Sequence, residues 1–316
     1  MTSSGVVTTP LVSIIIPTYY RNDLLKQTIE SAEAQTHDAV EIIVVDDSGE
    51  GHAEEAVTGY DDVNYIALDR NQGPQRARTA GIERARGEYV QLLDDDDRLH
   101  EDKFEKQIPL LQGNDDVGVA YSGFKWEGGP TVLPKQHIRG NVLKHALMFD
   151  TAPCITSTML IERDTLTEIL PLANRSGADD TGIKIELAQL TEFDYVDEAL
   201  VCRTETQESR HTSAGKLNGQ WEILSDYRDL YDRYPDTVYR KALAETYLVE
   251  GMHLLDEHVW SPRAISATAK ACYYIPNFSL PIVGAFLASL FGRPGRDVAL
   301  RVFRSRNQTG QRGKRI

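Results

Sequence analysis

Three short apolar runs, each ending abruptly in polar or acidic residues, limit what this chain can fold into. Val12-Ser13-Ile14-Ile15-Ile16 is rich in β-branched residues and stops at Pro17-Thr18-Tyr19. Glu41 to Val45 ends in Asp46-Asp47-Ser48-Gly49, and Tyr89 to Leu93 ends in Asp94-Asp95-Asp96-Asp97. Each run has the length of a strand and the apolar character of one buried on both faces. The intervening stretches read differently. Asn22 is placed to cap a helix from Asp23 to Ala34, and Ala53 to Val57 makes a short second helix. Val63 to Leu68 is a further strand, Asn71-Gln72-Gly73-Pro74 a turn, and Pro74 starts a helix running to Arg86. This alternation predicts a parallel sheet with helices on both faces. In such a sheet the three polar strand ends open on one edge, where ligands bind.

The acidic end of the third run carries the chemistry. Four adjacent carboxylates repel one another unless a cation or hydrogen-bond donors neutralise them. An all-oxygen set suits Mg²⁺ or Mn²⁺, which take one or two carboxylates together with substrate phosphates. In isolation an acidic run is most simply a solvated turn. Beside two other polar strand ends it reads as a metal–diphosphate site.

The rest of the chain bounds the context. With 316 residues and 41% hydrophobic content, it holds one large domain and a smaller one. A net charge of −14 argues against general nucleic-acid binding. Cys154, Cys202 and Cys272 have neither disulfide-framework nor metal-ligand spacing, which predicts a reducing compartment and a cytoplasmic location. After the acidic run, the pattern predicts a helix over 101–112, a strand over 117–125, a helix over 141–149 and a strand over 157–161. Gly177-Ala178-Asp179-Asp180 then opens a helix through Leu190, and 195–201 is a strand. Residues 203–216, which include His211, are polar and irregular and read as a lid. Helices are expected at 219–233, 236–257, 262–273 and 279–291, and part of this region is similar to a tetratricopeptide helix pair. The domain plan is therefore a flexible N-terminus over 1–10, an α/β domain over 11–216, a helical appendage packed on it over 217–292, and a basic tail over 293–316. The tail carries eight Arg and Lys residues against Asp297. The apolar 275–291 stretch and this tail fit two readings equally, peripheral contact with the cytoplasmic membrane face through 275–316 or an ordinary core helix followed by a solvated tail.

Four quoted stretches taken together resemble the inverting family 2 glycosyltransferases, which have the GT-A (Rossmann-like) fold of the nucleotide-diphospho-sugar transferase superfamily. They are Val12–Tyr19, Ile42–Ser48, Asn71-x-Gly-x-x-x-Ala-Arg78 and Gly87–Asp97, continued by Asp102–Gln107. The resemblance implies a mixed, mostly parallel α/β sheet, to which the C-terminal α-helical appendage is added. It implies a nucleotide-sugar donor, most simply a UDP-sugar, Mn²⁺ or Mg²⁺ as cofactor, and a hydroxyl acceptor; the basic tail and apolar 275–291 segment point to a glycan or lipid-linked glycan as that acceptor. Carried across, Pro17, Thr18 and Tyr19 hold the base, Asp47 accepts from its ring N–H, and Arg78 lies near base or phosphates. Asp94-x-Asp96 matches the family's Asp-x-Asp: Asp94 reaches the ribose or sugar, and Asp96 binds the metal. Asp95 is grouped with the nucleotide-binding residues, Asp97 is supporting, and His211 is a lid contact. Asp180 stands where the family has its general base, with Asp179 beside it. The sequence departs from the pattern at Tyr20, where the family has Asn, and at Asp179, where it has Glu. The Gln-x-x-Arg-Trp of processive synthases is absent, which implies addition of a single sugar, as in protein N-glycosylation or surface-polysaccharide assembly. Two alternatives belong to other classes: a nucleotidyltransferase, and a non-catalytic adaptor working through its helical end.

Overall fold

The computed structural model describes residues 9–204 and 213–301; His211 and the end of the basic tail lie outside them. Two compact units divide the chain. The first runs to Ala146 and adds Asp150–Asn174 and the stretch from Asp179; the second has Leu147–Phe149, Arg175–Ala178 and the C-terminal helices.

The first unit opens with β1 (Val12–Thr18), α1 (Asn22–Glu33), β2 (Val40–Asp46), α2 (Glu54–Val57), β3 (Val63–Ala67), α3 (Pro74–Ile82) and β4 (Tyr89–Leu92). It continues with β5 (Asp97–Leu99), α4 (Lys103–Gln112), β6 (Val117–Trp126), β7 (Thr131–Val132), α5 (Leu143–Leu147), β8 (Leu160–Glu162), α6 (Arg163–Thr167), α7 (Asp179–Leu187) and β9 (Glu192–Arg203). The sheet order is β3-β2-β1-β4-β8-β6-β9-β5, with β7 on β6. β1 pairs parallel with β2 and β4, and β2 with β3. Every residue of β1 and β4 is buried, as the unbroken apolar runs require. Thr18 lies opposite Asp46, and Ile15 opposite Leu92, so the carboxyl ends of β1, β2 and β4 share one edge. Beyond β4 the sheet is mixed: β8 is antiparallel to β4 and β6, while β6 and β9 run parallel.

Some local expectations change. Asn22 does not cap α1 but is its first residue; its Nδ2 donates to His52 O at 3.1 Å, and Arg21, at the N-cap position, makes no side-chain cap bond. The acidic run turns at Asp95 and Asp96, and Asp97 then opens a strand that the sequence pattern did not show, β5, antiparallel to Arg203 of β9. The strand expected over 157–161 is a 3₁₀ turn (Thr156–Thr158) followed by β8. Thr158 Oγ1 accepts from Ile155 N at 2.9 Å and donates to Ile155 O at 2.8 Å, local bonds that compete with a ladder.

The second unit is helical: α8 (Ser213–Asp226), α9 (Arg228–Tyr231), α10 (Asp236–Glu257), α11 (Pro262–Tyr274), α12 (Leu280–Ser289) and a further helix over 292–301. The helix expected over 219–233 breaks at Tyr227, and α9 then buries Tyr231, whose hydroxyl donates to Leu147 O at 2.6 Å. Ser261 caps α11 through Ala264 N, with Pro262 in the first turn. A Cβ added to Gly251 would meet Thr268 Cγ2 at 2.5 Å, so only glycine lets α10 and α11 approach this closely.

Candidate active site

The shared edge collects carboxylates. Asp94, Asp96 and Asp97 each offer an oxygen within 4.8 Å of the others. Asp95 points elsewhere: its Oδ2 accepts from Thr18 Oγ1 at 2.9 Å and its Oδ1 from Arg21 Nη1 at 3.1 Å. The same guanidinium nitrogen reaches Asp96 Oδ2 at 3.0 Å. Thr28 Oγ1 bonds the carbonyls of both Asp95 and Asp97, fastening the turn to α1.

Asp95 is therefore set apart from the other three acids, which face one another. Burial pushes the Asp97 carboxyl up to about 7, with Asp94 adding repulsion and Arg203 opposing it. Burial also pushes Asp95 up to about 6 against the pull of Arg21 and Thr18. Asp96 is raised by burial and then by Asp94, with Arg21 and Arg203 opposing. Asp97 Oδ1 meets Arg203 Nε at 3.4 Å, while its buried Oδ2 has no hydrogen-bond partner. Crowded oxygens, raised carboxyls and an orphaned buried oxygen are what a hard divalent cation relieves, so the residues fit Mg²⁺ or Mn²⁺.

Around this cluster, α3 supplies Arg78, whose Nη2 donates to Asp94 Oδ1 at 2.5 Å and Nη1 to Gln75 Oε1 at 2.7 Å. Asp47 is buried and accepts from Gln72 N at 2.7 Å and Gly73 N at 2.8 Å, tying the end of β2 to the turn before α3. Its neighbour Asp46 is held lower than usual: burial raises it, but bonds from Ala53 N, Ser48 N and Tyr65 outweigh that. Pro17 and Thr18 end β1, and Tyr19 follows, exposed. Tyr20 takes a left-handed φ of 55°, which explains why an Asn suits this position better than a tyrosine. Its hydroxyl donates to Glu50 Oε1 at 2.8 Å.

Asp179 and Asp180 open α7. Lys184, one turn on and buried, donates to Asp180 Oδ2 at 3.0 Å and to Cys154 O at 2.7 Å. Three residues beyond Cys154, Ser157 Oγ accepts from Asp94 N at 3.3 Å. The segment from Cys154 to Ser157 thus braces both the acidic edge and the Asp180–Lys184 pair. A buried network fixes it: Lys103 donates to Gln91 and Gln107, whose amides donate to Ser157 O and Thr158 O, each at 3.0 Å. Burial holds the Lys103 amine well below its ordinary range.

Arg21, Thr28, Ser157, Lys184 and Arg203 were not singled out by sequence reasoning. Only Lys184 carried a local signal, its i,i+4 spacing from Asp180. Arg203 is placed by strand pairing and by its stack over Trp126, 4.7 Å from the ring centre.

The sequence profile described as glycosyl transferase family 2 matches residues 13–170. TuaG of Bacillus subtilis (strain 168), named for teichuronic acid biosynthesis, is 36% identical over 106 residues, 32% of this chain and 42% of TuaG. The succinoglycan biosynthesis protein ExoO of Rhizobium meliloti (strain 1021) is 41% identical over 101 residues, 31% of this chain and 29% of ExoO. The matched stretches thus span less than half the length of these relatives. Among solved structures, S. aureus TarS 1-349 in complex with UDP-GlcNAc superposes with a TM-score of 0.63 at 16% identity, covering 96% of this chain and 92% of that one. The mannosyltransferase PcManGT from Pyrobaculum calidifontis, in complex with GDP-Man and Mn²⁺, gives 0.57 at 20% identity, covering 93% and 84%. These likenesses give the fold, and the profile match, which covers half of the chain with strands β2 to β8 and the acidic edge, gives the family: the chain belongs to glycosyl transferase family 2.

Proposed function

We propose that this protein transfers a single sugar, with inversion, from a nucleotide-diphosphate donor, a UDP-sugar, to a hydroxyl of a glycan or lipid-linked glycan. The observation that carries the reading is the convergence of Asp94, Asp96 and Asp97 beside Arg78 on the edge where β1, β2 and β4 end. The names of TuaG and ExoO, and the nucleotide sugars bound by TarS and PcManGT, support it.

In this reading Tyr19 stacks on the base while Pro17 and Thr18 shape its pocket. Asp47 keeps unused lone pairs for a ring N–H. Asp96, with Asp97 behind it, holds Mn²⁺ or Mg²⁺, which when bound supplies Lewis-acid neutralisation to the diphosphate. Asp94 orients the ribose or sugar, and Arg78 adds fixed positive charge near the phosphates. Asp180 accepts the acceptor's hydroxyl proton as the oxygen bonds to the anomeric carbon and the bond to the departing diphosphate breaks. Lys184 positions Asp180 through its 3.0 Å contact with Oδ2.

Nucleotide sugars screened by thermal shift with Mn²⁺ should include one that raises the melting temperature by linkage. With that donor, Asp96→Ala should abolish Mn²⁺-dependent turnover in a protein that still melts cooperatively. Asp180→Asn should still bind donor yet lose transfer by a factor on the order of 10² or more. Normal turnover by the Asp96 variant would sink the proposal.

A further inference from the structure

Away from the acidic edge, residues 135–150 gather a second set of metal-ligating side chains. His137, His145 and Asp150 each present a ligand atom within 4.8 Å of the other two. Each is held there by local structure. Tyr121 of β6 donates its hydroxyl to Ile138 O at 2.6 Å, which fixes the backbone next to His137. The Asp150 N–H donates to His145 O at 3.0 Å, so the turn brings the carboxylate back beside the imidazole. Lys135 Nζ sits 2.5 Å from Asp150 Oδ1 and fixes the carboxylate. The two imidazoles lie 5.2 Å apart between centroids, inclined at 51°. His145 Nδ1 is buried with no hydrogen-bond partner, an arrangement that costs free energy unless something satisfies the ring.

We propose that His137, His145 and Asp150 form a second cation site, selective for a borderline divalent ion of the zinc class. Two imidazoles and one carboxylate are an N₂O donor set, which Mg²⁺ and Mn²⁺ disfavour and Zn²⁺ accepts. Bonds of about 2.0–2.2 Å in tetrahedral geometry place donors about 3.4 Å apart, so the side chains close by rotation. His137 is exposed and His145 and Asp150 are half-buried, which leaves them that freedom. A water completes the fourth position. The ion clips the segment before α5 to the turn after it, immediately ahead of the Thr151–Cys154 stretch that carries the Lys184 contact. None of the three ligands serves sugar transfer.

The test uses the full chain, stripped with EDTA and held in excess Mg²⁺ so that the acidic edge is occupied. Calorimetric titration with ZnCl₂ should show one site, and Co²⁺ should give visible d–d bands of a low-coordinate nitrogen–oxygen complex. His137→Ala, at an exposed position that folding tolerates, should weaken Zn²⁺ binding at least tenfold and remove the Co²⁺ bands; His145→Ala should do the same. Asp96→Ala should leave both signals intact, so failure here and failure of the sugar-transfer reading are separate results. Unchanged Zn²⁺ affinity in His137→Ala, or Zn²⁺ binding lost instead in Asp96→Ala, overturns the proposal.

Discussion

The four acids from Asp94 to Asp97 divide by environment. Asp95, drawn aside by Thr18 and Arg21, is a brace for the turn; Asp94, Asp96 and Asp97 face one another. This division has a consequence for pH. In the unfolded chain these carboxyls titrate near 4. Folding raises Asp95 to about 6 and Asp97 to about 7, so between about pH 4 and 7 the folded state binds protons that the unfolded state has released. Stability from these groups is full at low pH and is lost as the pH rises through that window. Asp46 and Glu41, whose pKa values are lowered, act only below the ordinary carboxylate range, where they lose stability as the pH falls. Metal-free protein, followed by melting temperature, should therefore lose stability from pH 4 to 7. Asp97→Asn should flatten that slope. Mn²⁺ added at pH 7 should restore the melting temperature in the wild type and not in the Asp97 variant.

At the scale of elements, the edge depends on how closely α3 lies on β1 and β2. Gly81 has no Cβ, and one built there would meet Ile15 Cγ2 at 2.4 Å and Val45 Cγ2 at 3.3 Å. Gly81→Ala raises helix propensity yet overpacks this contact. The expected result is a loss of about 1–3 kcal/mol in denaturant unfolding, with a weaker hold on Arg78 three residues before it. An unchanged midpoint would show that the helix can slide without cost. The 154–158 segment is the second shared support. It has little regular structure, so its position rests on the Lys103–Gln91–Gln107 network rather than on a ladder of its own.

For the molecule as a whole, the C-terminal helices expose large apolar side chains: Phe278 is 81% and Phe291 74% accessible, and Leu280, Leu287 and Leu290 are exposed near them. No helix among the described residues is long and apolar enough to cross a membrane. The nearby arginines are not equivalent. Arg293 donates to the carbonyls of Leu255 and Asp256, and Arg296 pairs with Asp256 and Asp297, so both serve the fold. Removing residues 302–316, which keep five basic groups, should leave the melting temperature unchanged while reducing binding to vesicles with anionic lipid at physiological salt. Phe278→Ser with Phe291→Ser should reduce binding to the same vesicles in high salt, where burial of apolar area dominates. Equal partitioning of all variants with the wild type would leave the core-helix reading of 275–291 and remove the expectation of membrane contact.

The sequence by itself determined the parallel half of the sheet. Apolar runs such as Ile14–Ile16 and Ile42–Val45 have no polar face to offer water, so they must be buried between layers, and their polar ends must open together. Helices α10 and α11 were also legible, through residues similar to a tetratricopeptide helix pair, and the start of α11 is set locally by Ser261 and Pro262. Tertiary structure alone decided which acids face one another, since adjacent carboxylates look alike until Thr18 and Arg21 draw the Asp95 carboxylate aside. It alone brought Arg203 to Asp97 across 106 residues and Lys184 to Cys154 across 30, contacts that no local pattern encodes. The same holds for His137, His145 and Asp150, whose spacing in the chain resembles no metal motif. There the turn closed by Asp150 N and His145 O makes neighbours of residues that the sequence only lists in order.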